Sequence, residues 1–464
     1  MVANTTMFRT LLACGLLQAG FAAATPLDGA LDTNWGVLSS GKSPIAFDYG
    51  GTMSDFASGS VIGPDGSMYI SGTVRDANGV ARMGVTRLLP NGLIDDNFGT
   101  DGRAMTQTSQ GELFNTAGIA MRGNSLLVGG YKKTTADNWD FVVCAFSTGG
   151  IPLLFNSTLT SCVSASIEPG PSLSRDIPYG IAVQPDGKIV MAGTTAVANV
   201  SDTYAAFMRF ETSGALDHGF GLSNSGIQLM RTSNFIRHQI NAVAIASNGK
   251  IVGVGKTDVV GGNDSSALIV RLEADGTVDQ LSQSDECSFE VDGSNSRDTE
   301  LLGLALVPGS GGEDDMITVG YAQMSGTVHS ALIAKRLGST CAYDAGFSGG
   351  DGTNGYATVT AGDSLGFQSV AVQPNVGYVV GASYTPSGGD GDWLVGRYHF
   401  DGSSDFLLTQ IDFGNIHQSD VVADVHVFHD GIYVAGSWLK SGVNYDFGAA
   451  RLLLDQIFAD GFDD

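Results

Sequence analysis

An arginine recurs at one place along this chain. Arg87, Arg209, Arg271, Arg336, Arg397 and Arg451 each close a short apolar run, and an aspartate recurs in the neighbouring turn as Asp32, Asp95, Asp217 and Asp279. A ring of guanidinium groups would bind an anion. The same residues paired within each repeat would satisfy partly buried charge through bidentate hydrogen bonds. The regularity favours that structural use, because a ligand site does not need every repeat. Glycine-rich turns carry Asp351, Asp390 and Asp392, whose carboxylates and nearby carbonyls suit calcium. The tandem nonapeptides of calcium-binding β-rolls are absent, so the reading is no cofactor, with calcium kept as the alternative at those three positions. His426 and His429 lie near Asp424 and Asp430, but a spacing of three puts strand residues on opposite faces. No nucleophile elbow, Walker loop or HExxH motif occurs, which leaves only an active site assembled from loops of several repeats.

The cysteines bear on where this chemistry takes place. Arg9 precedes the apolar run Leu11–Ala23, and Ala22, Ala23 and Ala24 supply a small-residue cleavage site before Thr25. Residues 1–24 therefore read as an export signal, too short to span a bilayer, and no later stretch is long enough. Leu11-Leu12-Ala13-Cys14 resembles a lipoprotein box only superficially, since cleavage there would leave the signal without its apolar core. Cys144, Cys162, Cys287 and Cys341 remain, in an oxidising compartment. Four cysteines allow three connectivities; locality favours Cys144–Cys162, with Cys287–Cys341 left as the second pair, over a metal site with no close ligand spacing.

Composition limits the fold. Of 464 residues, 43% are hydrophobic, enough for a core, while 65 are glycine and only 15% are charged. With short apolar runs and no long helical period, this is an all-β chain rich in turns. A formal charge of −25 repels phosphate backbones, so a nucleic-acid partner is excluded in favour of simple solubility.

The positioning elements repeat. In the stretch Gly180–Gly221, the runs Ile181–Gln184 and Lys188–Ala192 flank Pro185-Asp186-Gly187, a hairpin turn by residue type. A third run, Ala205–Phe210, follows, then a Gly-Ala-Leu-Asp turn, Gly-Phe-Gly, and a fourth run at Gly226–Met230. Copies recur roughly every 55–64 residues, the length of a four-stranded propeller blade or a little more. Residues 25–51 hold the second half of a repeat without a first half, and the final copy lacks a fourth strand. The expectation is a signal peptide over 1–24 and one propeller over 25–464. It is a single seven-bladed β-propeller of four-stranded antiparallel blades, at about 52–107, 108–168, 169–231, 232–292, 293–360, 361–415 and 416–464. Pro44–Asp48 would pair with Asp446–Leu454 to close the last blade, removing the exposed edges of an open fan.

Val183-Gln184-Pro185-Asp186-Gly187-Lys188-Ile189 and Ala192-Gly193, with the later turn and Phe-Gly, resemble the delta-60 repeat, a bacterial family. The resemblance covers nearly all of 25–464 and departs at Gly123-Asn124, at Asn248-Gly249 and in the acidic loop Gly309–Asp315. It implies a propeller and, since its members largely lack known activity, adds little about chemistry. Recurrent glycines ending the second strand (Gly72, Gly130, Gly193, Gly255, Gly320, Gly381, Gly436) read as places with no room for a Cβ. Aromatic residues before glycine (Trp35, Phe98, Phe220, Phe347, Phe413) read as packing between blades.

The functional expectation is an exported, monomeric, non-catalytic binding or surface-interaction module for a protein or glycan, acting periplasmically or outside the cell. Two alternatives stand beside it. One is a hydrolase or lyase of extracellular polymers with a loop-built site at the channel, which needs paired acids about 5–10 Å apart for glycoside hydrolysis. The other is a structural protein of the cell envelope. Fold does not choose among them.

Overall fold

The computed structural model describes residues 29–454, apart from 48–52, 108–112, 136–137, 157, 168–173, 197–202, 231–234, 260–264, 280–286, 290–297, 326–327, 350–354, 362–363, 385–390, 415–419 and 442–443. The described residues hold strands and three short 3-10 turns, with no α-helix.

The Pro-Asp-Gly segments make hairpins. Gly66 takes φ +79°, and Asp65 Oδ1 accepts the Ser67 amide at 3.0 Å, which holds the turn tight. Strand β1 is Lys42–Ile45. The next sheet is β2 (Phe56–Ile62), β3 (Met68–Arg75), β4 (Ala81–Leu88) and β5 (Arg103–Met105). The chain continues through β6 (Leu113–Arg122), β7 (Ser125–Thr135), β8 (Asn138–Ser147) and β9 (Cys162–Ala165). It then makes β10 (Arg175–Val183), β11 (Ile189–Ala196), β12 (Thr203–Phe210) and β13 (Ile227–Met230). Two four-stranded sheets follow: β14 (Phe235–Ile245), β15 (Ile251–Val259), β16 (Ser265–Leu272) and β17 (Cys287–Phe289), then β18 (Thr299–Pro308), β19 (Asp314–Ser325), β20 (Val328–Arg336) and β21 (Tyr356–Val359). Next come β22 (Leu365–Gln373), β23 (Gly377–Tyr384), β24 (Asp392–His399) and β25 (Ser404–Ile411). The last strands, β26 (Val421–Phe428), β27 (Gly431–Ser441) and β28 (Asn444–Leu453), take β1 as their fourth member.

The first strands of successive repeats, β2, β6, β10, β14, β18, β22 and β26, each contact the next, and β26 contacts β2. The sheets therefore circle an axis as a β-propeller. Their third strands are sandwiched between neighbours; all eight residues of β16 are buried. The core is a series of apolar layers between sheets. Phe98 and Tyr69 of one sheet meet Phe114 and Val128 of the next, and Phe207 meets Ile240 and Leu268.

The expectation of seven separate four-stranded blades needs correction. Hydrogen bonding gives five four-stranded sheets and one eight-stranded sheet, in which β10 joins β8 through a parallel bridge between Arg175 and Trp139. The Trp139 amide donates to the Ser174 carbonyl at 3.0 Å, and the Arg175 guanidinium lies 5.3 Å from the Trp139 ring centroid. These contacts fuse two repeats that sequence treats as distinct. The expected closing ladder, Pro44–Asp48 against Asp446–Leu454, is also displaced. β1 ends at Ile45 and pairs Lys42 with Ala450 and Ile45 with Phe447. Beyond it the Ala46 carbonyl accepts from Arg103 Nε at 2.7 Å, and Phe47 packs on Phe447 at 5.2 Å, which takes that backbone out of the ladder.

Candidate ligand-binding site

Each strand nearest the axis carries one residue more than its partner. The pairing of β2 with β3 jumps from Ala57–Gly72 to Gly59–Ser71, leaving Ser58 unpaired. The same shift leaves over Ala117, Tyr179, Asn241, Leu302, Gln368 and Ala423. A bulge bends its strand and re-aims a side chain. Six of the seven bulges share a glycine across the ladder. A Cβ on Gly72, Gly130, Gly193, Gly255, Gly320 or Gly436 would overlap the carbonyl oxygen of Phe56, Asn115, Ile177, Gln239, Glu300 or Val421, respectively. In these six repeats glycine leaves room for the carbonyl at the bulge, while the Gln368 bulge forms with Ala382 at that place. Gly381, grouped with these by sequence, is one residue out of register: it pairs with Ser369, and Ala382 faces Phe367.

All the bulged residues line one axial cavity of about 230 Å³, with the small residues that follow them, such as Gly59, Gly118, Gly180 and Gly303. Tyr179 is 36% exposed there, the most open of the large side chains in the channel. Burial, helped by Tyr131 and Glu300, pushes its hydroxyl pKa up, so the phenol stays a neutral donor. The polar groups then divide into two kinds. Asn241 is committed: its Nδ2 donates to Glu300 Oε1 at 2.9 Å and to the Leu301 carbonyl at 2.8 Å. Glu300 also accepts from Lys256 Nζ at 2.9 Å and Tyr321 hydroxyl at 2.6 Å. Gln368 uses only its Oε1, which accepts the Ser383 amide at 2.8 Å. Among the described residues, the Gln368 amide NH₂, the Tyr179 hydroxyl and the Ser58 hydroxyl make no hydrogen bond to protein, and all three line the cavity.

Asp424 is the one carboxylate among the described residues of the lining. It accepts from Ser369 Oγ at 2.8 Å, the Val425 amide at 2.9 Å and the Ser60 amide at 3.1 Å, and it faces His426 Nε2 at 3.3 Å. Burial works to raise its pKa, but His426 and these donors outweigh it and hold the carboxyl below the usual range. Burial likewise works to lower the His426 pKa, and Asp424 overcomes this and holds it above the ordinary histidine value. Ser60 Oγ lies 2.9 Å from the same Nε2. A serine–histidine–aspartate relay needs serine and carboxylate on opposite ring nitrogens. Here both meet Nε2, so the cluster is an ion pair braced by hydroxyls and has no nucleophile.

The recurrent arginines lie elsewhere, near the turns at the far end of the third strands. Arg87 Nη1 meets Asp95 at 3.0 Å, Arg209 Nε meets Asp217 at 2.6 Å, and Arg397 Nε meets Asp405 at 2.6 Å. Arg271 pairs with Asp279, and Arg451 pairs with Asp32 from the other end of the chain. Arg336 instead stacks on the Tyr343 ring, 3.5 Å from its centroid, and burial pushes its pKa down to about 10. Arg209 and Arg271 also donate to carbonyls of the following repeat, Ala274 and Gly338, and none of the arginines lines the channel. Asp351 and Asp390 lie outside the described residues. Asp392 is buried in β24 and accepts from Gln410, and no group of three or more potential metal ligands occurs among the described residues. Cys144 and Cys162 form a disulfide across directly paired positions of β8 and β9. Cys341 is disulfide-bonded too, while the Cys287 side chain lies outside the described residues. A larger groove of about 560 Å³ runs beside β5. Its charged groups are spent on the protein: Arg82 on Asp76, Arg103 on the Ala46 and Asp101 carbonyls.

Sequence reasoning missed the channel residues. Their signal was a fixed distance: Ser58, Tyr179 and Gln368 each stand six residues before the proline that opens the hairpin turn, Pro64, Pro185 and Pro374. At that offset the repeat changes its chemistry while its framework stays constant.

No curated protein is similar to the chain in sequence. In backbone shape it is similar to the first two extracellular domains of Drosophila semaphorin 1a (TM-score 0.43, 10% identity, 93% of this chain and 89% of that one). It is also similar to an ulvanlyase of a polysaccharide lyase family, PL25 (0.40, 10%, 92% and 94%), and to a Bacillus subtilis arabinanase (0.31, 11%, 59% and 92%). Residues 63–98, 184–220 and 246–280 match the model of a family described as a domain of unknown function (DUF5122) beta-propeller, so these stretches are repeats of a β-propeller repeat family.

Proposed function

We propose that the protein is an exported, non-catalytic binding module of the delta-60 repeat kind that takes its ligand in the axial channel, residues 1–24 being removed on export. One observation carries this reading: Tyr179, Gln368 and Ser58 line the cavity with polar groups that make no hydrogen bond to protein among the described residues, while the one carboxylate among the described lining residues is spent on the fold. General acid–base chemistry on a polymer needs a group poised to give up a proton and another to take one. Asp424, held ionised by His426, Ser369 and Ser60, has no proton to give, and no second carboxylate stands beside it among the described residues of the lining. The Cys144–Cys162 disulfide supports an oxidising destination. No helix among the described residues is long and apolar enough to cross a membrane.

The test is a binding screen of residues 25–464 against glycans and metabolites, repeated with Tyr179→Ala. Saturable binding that the variant weakens about tenfold, the worth of one well-placed contact, supports the module. Polymer breakdown without channel binding would instead support the enzyme alternative, and self-association without any ligand would support the envelope protein.

A further inference from the structure

We infer that the ligand is an uncharged saccharide, entering the channel by a terminal ring and held by the Tyr179, Gln368 and Ser58 side chains; this rests on the channel-binding reading above. Charge decides the class first. The chain as a whole carries a formal charge of −25, a net field that opposes anions. A cation would need a bare carboxylate, yet Asp424 faces His426 at 3.3 Å and Glu300 faces Lys256 at 2.9 Å. Asp424 is the one charged side chain among the described residues of the lining, and it is already paired.

Hydrogen-bonding groups then separate polar from apolar ligands. The Gln368 amide offers two donors and no free need for an acceptor, because its Oε1 is held by the Ser383 amide. The Tyr179 and Ser58 hydroxyls can each donate and accept. These groups come from β22, β10 and β2, different sides of the ring, so they converge on a compact object bearing hydroxyls around its edge. An extended peptide would draw its bonds from a single strand edge. The exposed Tyr179 ring adds a flat apolar surface for a pyranose face. At about 230 Å³ the cavity falls below the roughly 300–1,000 Å³ of drug-sized pockets, room for one ring and not for a folded oligomer.

Calorimetric titration of residues 25–464 tests this. The probes are neutral hexoses, 6-deoxyhexoses, pentoses and N-acetylhexosamines and their short oligomers, with matching uronic acids, amino sugars and capped neutral tripeptides. The expected result is saturable binding of at least one neutral sugar, with its uronic acid at least about tenfold weaker. Tyr179→Phe, which keeps the ring, should weaken that sugar about five- to tenfold, and Gln368→Glu, which adds a charge, at least about tenfold. Ser58→Ala, the smallest change, guards against loss of fold in the other two and should weaken binding about threefold. Binding of only charged probes or peptides, abolished by the same substitutions, would overturn the saccharide while leaving the channel site intact. Sugar binding indifferent to all three substitutions, or no binding by any probe, would overturn both.

Discussion

Asp176 shows how one side chain can cost the fold stability at neutral pH. Burial pushes its pKa up to about 6, against donors from the Ile167 amide and the Thr195 and Ser174 hydroxyls, and Asp140 adds repulsion. The folded chain therefore keeps a proton that the unfolded chain releases near pH 3.8, so stability falls as pH climbs from about 4 to 6 and stays low above it. Asp176→Asn should flatten that slope, raising neutral-pH stability by at most about 3 kcal/mol, the worth of a two-unit shift. Melting temperature measured from pH 4 to 8 reads it directly, and an unchanged slope would locate the proton elsewhere. The neighbouring parallel bridge at Arg175 and Trp139 makes the same residue a probe of the fused sheet.

At the scale of strands, the bulge and its facing glycine form one device. Gly320→Ala would drive a methyl into the Glu300 carbonyl, a backbone atom with nowhere to go, and should cost about 2–3 kcal/mol in denaturant unfolding. Gly381→Ala meets no backbone atom, only the Val422 and Val425 side chains, and should cost less, about 1 kcal/mol. Equal losses would mean that register does not control the bulge. This contrast also marks what sequence could teach. Hairpins were legible, because Pro185-Asp186-Gly187 states its turn in residue types. The bulge was not, since an extra residue looks like any other until two strands are laid side by side; hence Gly381 was grouped with glycines it does not match. Channel side chains stayed hidden for the opposite reason, standing at a position where the repeats disagree. Packing fell between these extremes. Trp35, Phe98, Phe220 and Phe347 each lie under a turn glycine of the following repeat, Gly92, Gly150, Gly276 and Gly402. In the second repeat Phe155 fills that role beneath Gly214 without a following glycine to announce it.

Taken whole, the molecule is held by its ends as much as by its layers. Arg451 pairs with Asp32, 419 residues away in sequence, the Arg451 amide donates to the Gly41 carbonyl, and β1 lies along β28. Asp32 is 3% exposed, so Asp32→Asn leaves a partly buried guanidinium short of one partner, with Asp430 still in place. The expected loss is about 2–3 kcal/mol, read as an earlier midpoint in urea with an unchanged slope. A reduced slope with two separate transitions would instead mean that the terminal sheet melts independently of the rest.

That same pairing dictates an order of events in the living cell. A polypeptide leaves the ribosome, or threads a membrane, from its amino end, so Lys42 waits with an unmated edge until Ala450 arrives. Joining such distant ends costs about 5 kcal/mol of loop entropy, which only the finished layers can offset. A nascent chain halted before its last strand thus presents a sticky, half-built wheel, and holdase chaperones should find their grip there.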